Sequence, residues 1–278
     1  MEEITLKSPA KINLTLDILR KLPDGYHEIS SIIQEISLYD EIKIEKSDQL
    51  RIYCNEPIPL KENLVLKAWK LLKNKFNIID DVSINIKKNI PLGAGLGGGS
   101  SNAAAALKGI NELFSLNLKN EELIKLASQI GMDVPFFIVG GTCMAKNRGE
   151  VIEKIRHLPK IELILANPGF PVSTEEAYKS LDLANIGKKL ATEKLLKIIN
   201  KGNAKEIASY LHNDFESATA KKYPAIKALK EKMISLGCSN AVMSGSGPTV
   251  FAIVEKNKEE IYNKLKEDIN LVFSATTL

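Results

Sequence analysis

The chain has 278 residues, 44% hydrophobic and 26% charged, with 38 Lys and Arg against 34 Asp and Glu for a formal net charge of +4. That length suits two domains of ordinary size, the hydrophobic content excludes a disordered chain, and the scattered charges form no dense basic block that would call for a nucleic-acid partner. Cys54, Cys143 and Cys238 are odd in number and outside any CxxC pair, which excludes a disulfide framework or a zinc site and fits a reducing cytosol.

The opening residues Met1-Glu2-Glu3-Ile4 show neither a basic nor an apolar leader. Ala10, Ile12, Leu14, Leu16 and Ile18 then alternate with Lys11, Asn13, Thr15 and Asp17, the period of a half-buried strand that puts Lys11 and Asn13 on one face. A turn at Pro23-Asp24-Gly25 leads through Tyr26 and His27 to a second strand over Ile29 to Ile36. Leu64, Ala68, Leu71 and Leu72 lie at helical spacing within Glu62 to Asn74, with Asn63 as the cap. Val82, Ile84 and Ile86 alternate as a strand that runs into Pro91 and a glycine-rich segment.

Beyond it, Ser100, Ser101 and Asn102 open an alanine-rich helix reaching about Phe114, and a second helix covers Glu121 to Ile130 and ends at Gly131. The apolar run Val134 to Ala145 is too short and too broken by glycine to span a bilayer, so no membrane partner is expected and the cytoplasm is the expected location. A charged stretch with Pro159 marks a domain boundary, dividing residues 1–157 from 158–278. The second part reads as a strand at Ile161 to Ala166 and helices at Thr174 to Leu181, Thr192 to Asn200, Lys205 to Ala218 and Ala225 to Leu236. Two short strands then flank Ser244 to Pro248, and a helix and a strand close the chain.

The segment Pro91-Leu92-Gly93-Ala94-Gly95-Leu96-Gly97-Gly98-Gly99-Ser100-Ser101 joins a strand to a helix. Free backbone N–H groups and the helix dipole favour an anion at such a junction, and glycines allow its close approach. Tight strand-to-helix packing is the structural alternative. The spacing Gly93-x-Gly95-x-x-Gly98 satisfies the dinucleotide fingerprint, yet a helix follows where that fold needs a second parallel strand. Gly99 stands where a P-loop requires lysine, and the HRD and DFG triplets of protein kinases are absent.

The loop with its Ser-Ser and alanine-rich helix resembles the ATP loop of the GHMP kinases. Ser8-Pro9-Ala10-Lys11-Ile12-Asn13-Leu14 resembles their N-terminal motif, Gly131-Met132-Asp133-Val134-Pro135-Phe136-Phe137 a motif whose Asp is catalytic, and Met243-Ser244-Gly245-Ser246-Gly247-Pro248-Thr249 their late glycine loop. From spacing alone, Lys11 and Asn13 would be exposed strand residues, Asp133 a helix cap or turn former, and the late loop a hairpin connection. Asp24-Gly25-Tyr26-His27 resembles the branch of the family whose acceptor is a cytidine diphosphate-linked sugar alcohol, a small-molecule substrate. A homoserine or mevalonate kinase type is the alternative.

This resemblance implies an α/β (α+β) two-domain fold, with an N-terminal ATP-binding domain like the second domain of ribosomal protein S5 and a ferredoxin-like C-terminal domain, the active site lying between them. It implies ATP and Mg²⁺, with Lys11 and Asp133 catalytic and triphosphate oxygens on the backbone of Gly95 to Ser101, where Ser100 or Ser101 offers a hydroxyl to phosphate or Mg²⁺. Asn63 and Lys88 match the adenine pocket. Asn13, Gly245, Ser246 and Gly247 fall on the acceptor side, where Tyr26 and Tyr178 would stack on cytosine and His27 would read its edge. Tyr178 follows Pro168-Gly169-Phe170-Pro171-Val172-Ser173-Thr174, which resembles the pocket's other wall. The expected assembly is a monomer or weak homodimer.

Overall fold

The computed structural model describes residues 2–181, 186–187, 190–199 and 203–278. The alternation at Ala10 to Ile18 belongs to a strand longer than expected: β1 runs Glu3–Lys21 and β2 runs His27–Ser47. The protein divides into two compact units that interleave along the chain. One comprises Met1–Ala10, Tyr39–Pro91 and Gly97–Gly140; the other comprises Lys11–Leu38, Leu92–Leu96 and Gly141–Leu278.

In the first unit β3 (Arg51–Cys54) pairs in parallel with β4 (Asp81–Lys87), and β4 pairs antiparallel with β2, Ile44 opposite Ile84 and Ile42 opposite Ile86. The alternation of Val82, Ile84 and Ile86 survives as a buried face. Four helices accompany these strands: α1 (Leu64–Phe76), α2 (Gly98–Leu113), α3 (Asn120–Ala127) and α4 (Val134–Val139). The alanine richness of α2 has a packing reason. Ala103, Ala104 and Ala106 are buried, and a Cβ at Gly109 would come within 2.6 Å of Leu6 Cδ1 and 2.9 Å of Ile44 Cδ1, so small residues let the helix lie close on the strands.

In the second unit β5 (Thr142–Asn147) pairs antiparallel with the first half of β2, Ile29 opposite Asn147, and β6 (Val151–Lys154) adds to β5. A second sheet contains β7 (Glu162–Asn167). Helices α5 (Thr174–Lys179), α6 (Ala191–Ile198) and α7 (Ala204–Ser209) follow, then the short β8 (His212–Asn213) beside β1, and α8 (Asp214–Lys222) and α9 (Pro224–Ser235). The second sheet is completed by β9 (Asn240–Met243), β10 (Val250–Ile253) and, after α10 (Lys258–Lys266), β11 (Leu271–Thr276). Its order β11-β7-β10-β9, antiparallel throughout, is the ferredoxin-like arrangement. Ile164, Ala166, Met233, Val250, Ile261 and Leu265 belong to its core.

One expectation needs correction. The single helix at Lys205 to Ala218 is broken between Ser209 and Asp214, because Asn213 serves as the cap of α8: its Oδ1 accepts from Phe215 N at 2.9 Å. The apolar run from Val134 is α4 followed by β5, separated at Gly140 and Gly141 with φ of +72° and +74°. The helix expected over Thr192 to Asn200 is α6, described over Ala191–Ile198, and Asn200 lies outside the described residues. Among the described residues no helix is long and apolar enough to cross a membrane.

Candidate active site

Within the second unit the glycine segment is fixed mainly through its backbone. Lys11 N donates to the Leu96 carbonyl at 2.9 Å, Val172 N to the Gly93 carbonyl at 3.3 Å, and Ser244 Oγ to the Gly95 carbonyl at 3.0 Å. Strand β1, the stretch 168–174 and the β9–β10 connection therefore all hold the loop. Gly95 has φ +75°, and a Cβ there would overlap the Ser244 carbonyl and lie 3.0 Å from Gly247 N, an approach open only to glycine.

Lys11 and Asn13 share a face, as the alternation requires, but both are buried where spacing alone suggested exposure. Lys11 Nζ donates to Asn13 Oδ1 at 2.5 Å, Asn13 Nδ2 to Ser31 Oγ at 2.8 Å, and Ser31 Oγ to the Thr15 carbonyl at 2.6 Å. Gly245 covers the pair closely: a Cβ on it would stand 3.2 Å from Lys11 Nζ and 3.4 Å from Asn13 Oδ1. Asn213 Nδ2 braces that loop by donating to the Met243 and Gly245 carbonyls at 2.6 and 2.7 Å, and the Ser246 and Thr174 hydroxyls meet at 3.1 Å. The result is an ammonium among glycine backbone, suited to an anionic ligand.

The aromatic residues of the same unit depart from a simple pair of tyrosines. His27 stacks on Tyr178 with centroids 4.8 Å apart and 18° between the planes, and Tyr178 meets Phe215 edge-on at 4.7 Å. Tyr26 is exposed. His27 is buried, and its Nε2 has no hydrogen-bond partner. Burial depresses the imidazole pKa below its ordinary value, with a further push from the Lys21 charge, so the ring is held neutral. An unpaired buried polar atom costs about 1–3 kcal/mol. A ligand's polar edge would remove that cost.

In the first unit α2 starts directly after Gly97, which has φ +69°. Ser101 is buried and its Oγ accepts from Ser8 Oγ at 2.7 Å, while Ser100 is only half-buried. Asn102 Nδ2 donates to Ser8 Oγ at 2.9 Å and to Asp40 Oδ2 at 2.8 Å. The Lys88 ammonium is ion-paired with Asp40 and donates to Asn102 Oδ1 at 3.1 Å, and Asp40 Oδ1 accepts from Asn89 N and Ile90 N at 2.7 and 2.8 Å. This buried network lies under the helix start, since a Cβ on Gly98 would be 2.9 Å from Lys88 Nζ. With its side chain 2% exposed, Lys88 supports the loop from within and presents almost no surface to a base. Asn63, the other residue matched to the adenine pocket, caps α1 by accepting from Val65 N at 2.9 Å.

Asp133 occupies the cap position of α4 with φ −84° and ψ −11°, yet its side chain makes no capping hydrogen bond. It stands in the turn that opens the helix, where Val134 N donates to the Gly131 carbonyl at 3.2 Å. Among the described residues, the one group of histidine and carboxylates close enough to share a metal is Asp17, His212 and Asp214, which includes none of the expected site residues. Its members are engaged already. Asp17 accepts from Thr192 N at 2.8 Å, and Asp214 accepts from Ile18 N and pairs with His212 Nε2, both at 2.7 Å.

Residues 63–141 match the GHMP kinases N terminal domain and residues 193–270 match GHMP kinases C terminal. The chain is 43% identical over 278 residues to the 4-diphosphocytidyl-2-C-methyl-D-erythritol kinase of Caldicellulosiruptor saccharolyticus, an alignment covering 98% of this chain and 96% of that one. The chain belongs to the GHMP kinase family. Among solved structures, a 4-(cytidine 5'-diphospho)-2C-methyl-D-erythritol kinase superposes with a TM-score of 0.86 at 29% identity over 99% of each chain. A homoserine kinase from Cytophaga hutchinsonii gives a TM-score of 0.73 at 17% identity, covering 100% of this chain and 95% of its own, a likeness of fold alone.

For a GHMP kinase, the supports that sequence reasoning passed over are Ser8, Asp40, Asn102 and Asn213. One carried a signal: Asn213 is a poor helix former within an expected helix. Asp40 is one of several charged residues of β2 and does not stand out among them. Ser8 lies in the N-terminal motif and Asn102 just after the glycine loop, but nothing local reveals that they bond each other.

Proposed function

We propose that this GHMP kinase transfers the γ-phosphate of ATP to the 2-hydroxyl of 4-diphosphocytidyl-2-C-methyl-D-erythritol, in the methylerythritol phosphate route to isoprenoid precursors. Relatives 40%, 43% and 45% identical across almost the whole chain bear that kinase's name. The observation that carries the assignment here is the buried, unpaired His27 Nε2 against the Tyr178 ring. An aminopyrimidine supplies both a flat face for stacking and a polar edge for that nitrogen. Homoserine and mevalonate carry polar groups but have no flat ring to stack.

Phosphoryl transfer through a loose transition state depends on positioning and charge stabilisation. In this reading the backbone of Gly95 to Ser101 binds the triphosphate, and Lys11 meets charge developing on the transferred group. Asp133 accepts or orients the acceptor's hydroxyl proton. Asn13 orients Lys11 through their hydrogen bond, and Gly245, Ser246 and Gly247 contribute backbone on the acceptor side. Mg²⁺ would neutralise phosphate charge and arrive with ATP; of the two hydroxyls expected to meet it, that of Ser100 is the more accessible, because Ser101 is buried. At the adenine end Lys88 acts by supporting the start of α2, and Asn63 stands at the start of α1. The enzyme works in the cytoplasm as a monomer or weak homodimer, with domains dividing at residues 157/158 and no nucleic-acid partner.

A panel of acceptors with ATP and Mg²⁺ tests the assignment. The expected result is turnover on 4-diphosphocytidyl-2-C-methyl-D-erythritol. Turnover on mevalonate or homoserine with none on that acceptor would overturn it.

A further inference from the structure

Tyr26 follows the turn between β1 and β2 with half of its surface exposed. A ring so placed ordinarily samples several rotamers, and a ligand that stacks on it bears the cost of ordering it. Here the ring is already engaged on one side. The Arg148 guanidinium lies over it, Cζ 4.7 Å from the centroid. Arg148 is in turn ion-paired with Asp24, whose other oxygen accepts from Tyr26 N at 3.0 Å. The three residues close a loop of contacts: Asp24 holds the Tyr26 backbone and the Arg148 head, and that head covers the Tyr26 ring.

Sheet register delivers the arginine. Because β5 pairs with β2, Asn147 stands opposite Ile29, and the β5–β6 turn that follows lies beside the Tyr26-His27 stretch. The turn is tightly defined, with Asn147 at φ +58°, Gly149 at φ +111°, Gly149 N donating to the Lys146 carbonyl at 3.0 Å and Arg148 N to Glu150 Oε2 at 3.0 Å. A planar guanidinium suits this position, since it stacks on a ring while its edge pairs with a carboxylate.

We propose that Arg148 and Asp24 are positioning residues for the acceptor, holding the Tyr26 ring with one face covered so that its opposite face receives the pyrimidine. This rests on the reading of Tyr26 as an acceptor contact. Neither residue touches the reacting atoms in this role, so the effect belongs in acceptor binding and leaves ATP binding and kcat alone.

The test compares Arg148→Ala, Arg148→Lys, Asp24→Asn, Tyr26→Ala and the double variant Arg148→Ala/Tyr26→Ala, with KM measured for each substrate while the other saturates. Asn at position 24 retains an acceptor for Tyr26 N but loses the ion pair, so it separates the turn from the clamp. Arg148→Ala and Asp24→Asn should each raise the acceptor KM about two- to fivefold, the scale of an exposed cation–π contact. Arg148→Lys should fall between them and the parent, and ATP KM and kcat should stay at parental values. In the Tyr26→Ala background, removing Arg148 should cost nothing more. An acceptor KM unmoved by Tyr26→Ala would remove the reading beneath the proposal. An effect of Tyr26→Ala with none of Arg148→Ala would overturn the proposal alone. A full Arg148 penalty persisting without Tyr26 would mean direct contact with the acceptor, and would overturn the positioning role.

Discussion

Replacing Gly99 by alanine should separate the stability of the glycine loop from its use. Gly99 is the second residue of α2, is exposed, has no positive φ, and a Cβ there would meet nothing within 4 Å. Alanine is the better helix former by about 0.5–1 kcal/mol, so the variant should be at least as stable as the parent. For a domain of this size a gain of 1 kcal/mol corresponds to about 2–4 °C in Tm. If triphosphate oxygens approach the Gly99 backbone, the methyl group blocks a charge-assisted hydrogen bond worth about 1.5–3 kcal/mol, and the ATP KM should rise about ten- to a hundredfold. Gly95→Ala is the contrasting case. With φ +75° it bears a backbone penalty of about 1–2 kcal/mol, and its Cβ overlaps the Ser244 carbonyl, so it should lose stability whether or not ATP is present. Thermal melting together with steady-state kinetics at saturating acceptor reads both quantities. A stable Gly99→Ala enzyme with a parental ATP KM would refute the phosphate role of this position, and packing would not replace it, since a Cβ there meets nothing within 4 Å.

Asp133→Asn should leave the protein folded, because Asn suits this helix-start position about as well as Asp, while kcat falls about 10²–10⁴-fold, toward the low end for a loose transition state. Turnover within a few-fold of the parent in a folded variant would return the residue to a structural role. The depressed His27 pKa predicts a pH dependence of stability. The unfolded chain takes up this proton near pH 6.5 while the folded imidazole resists it, so the contribution is complete above 6.5 and is lost as pH falls from there toward the folded pKa. Denaturant titrations from about pH 7.5 down to 5.5 should show a steeper loss for the parent than for His27→Gln; equal slopes would count against a buried neutral ring.

Much of the candidate site was legible because its signals are local. The two-residue period of a strand dictates that Lys11 and Asn13 share a face, and a cap needs only its own helix, so Asn63 was identified from its neighbours. Strand-to-helix junctions with several glycines likewise announce themselves. Local reasoning failed where a side chain had two uses. Asn213 reads as a helix residue until its second task, holding the Met243 and Gly245 carbonyls, is visible.

From the sequence by itself came the family, the glycine loops, the strand face carrying Lys11 and Asn13, and most helices and strands, since each rests on residue types within a few positions of one another. Only the tertiary structure decided which side chains meet. Lys88 lies 48 residues from Asp40 and Ser8 lies 93 residues from Ser101, yet both pairs are buried contacts under the start of α2. The stacking of His27 on Tyr178 and of Arg148 on Tyr26 is equally remote from any local pattern. The physical reason is that such partners are selected by strand register and close packing, which bring together side chains from distant parts of the chain, and a buried polar group accepts whichever complementary group the fold places within hydrogen-bond reach.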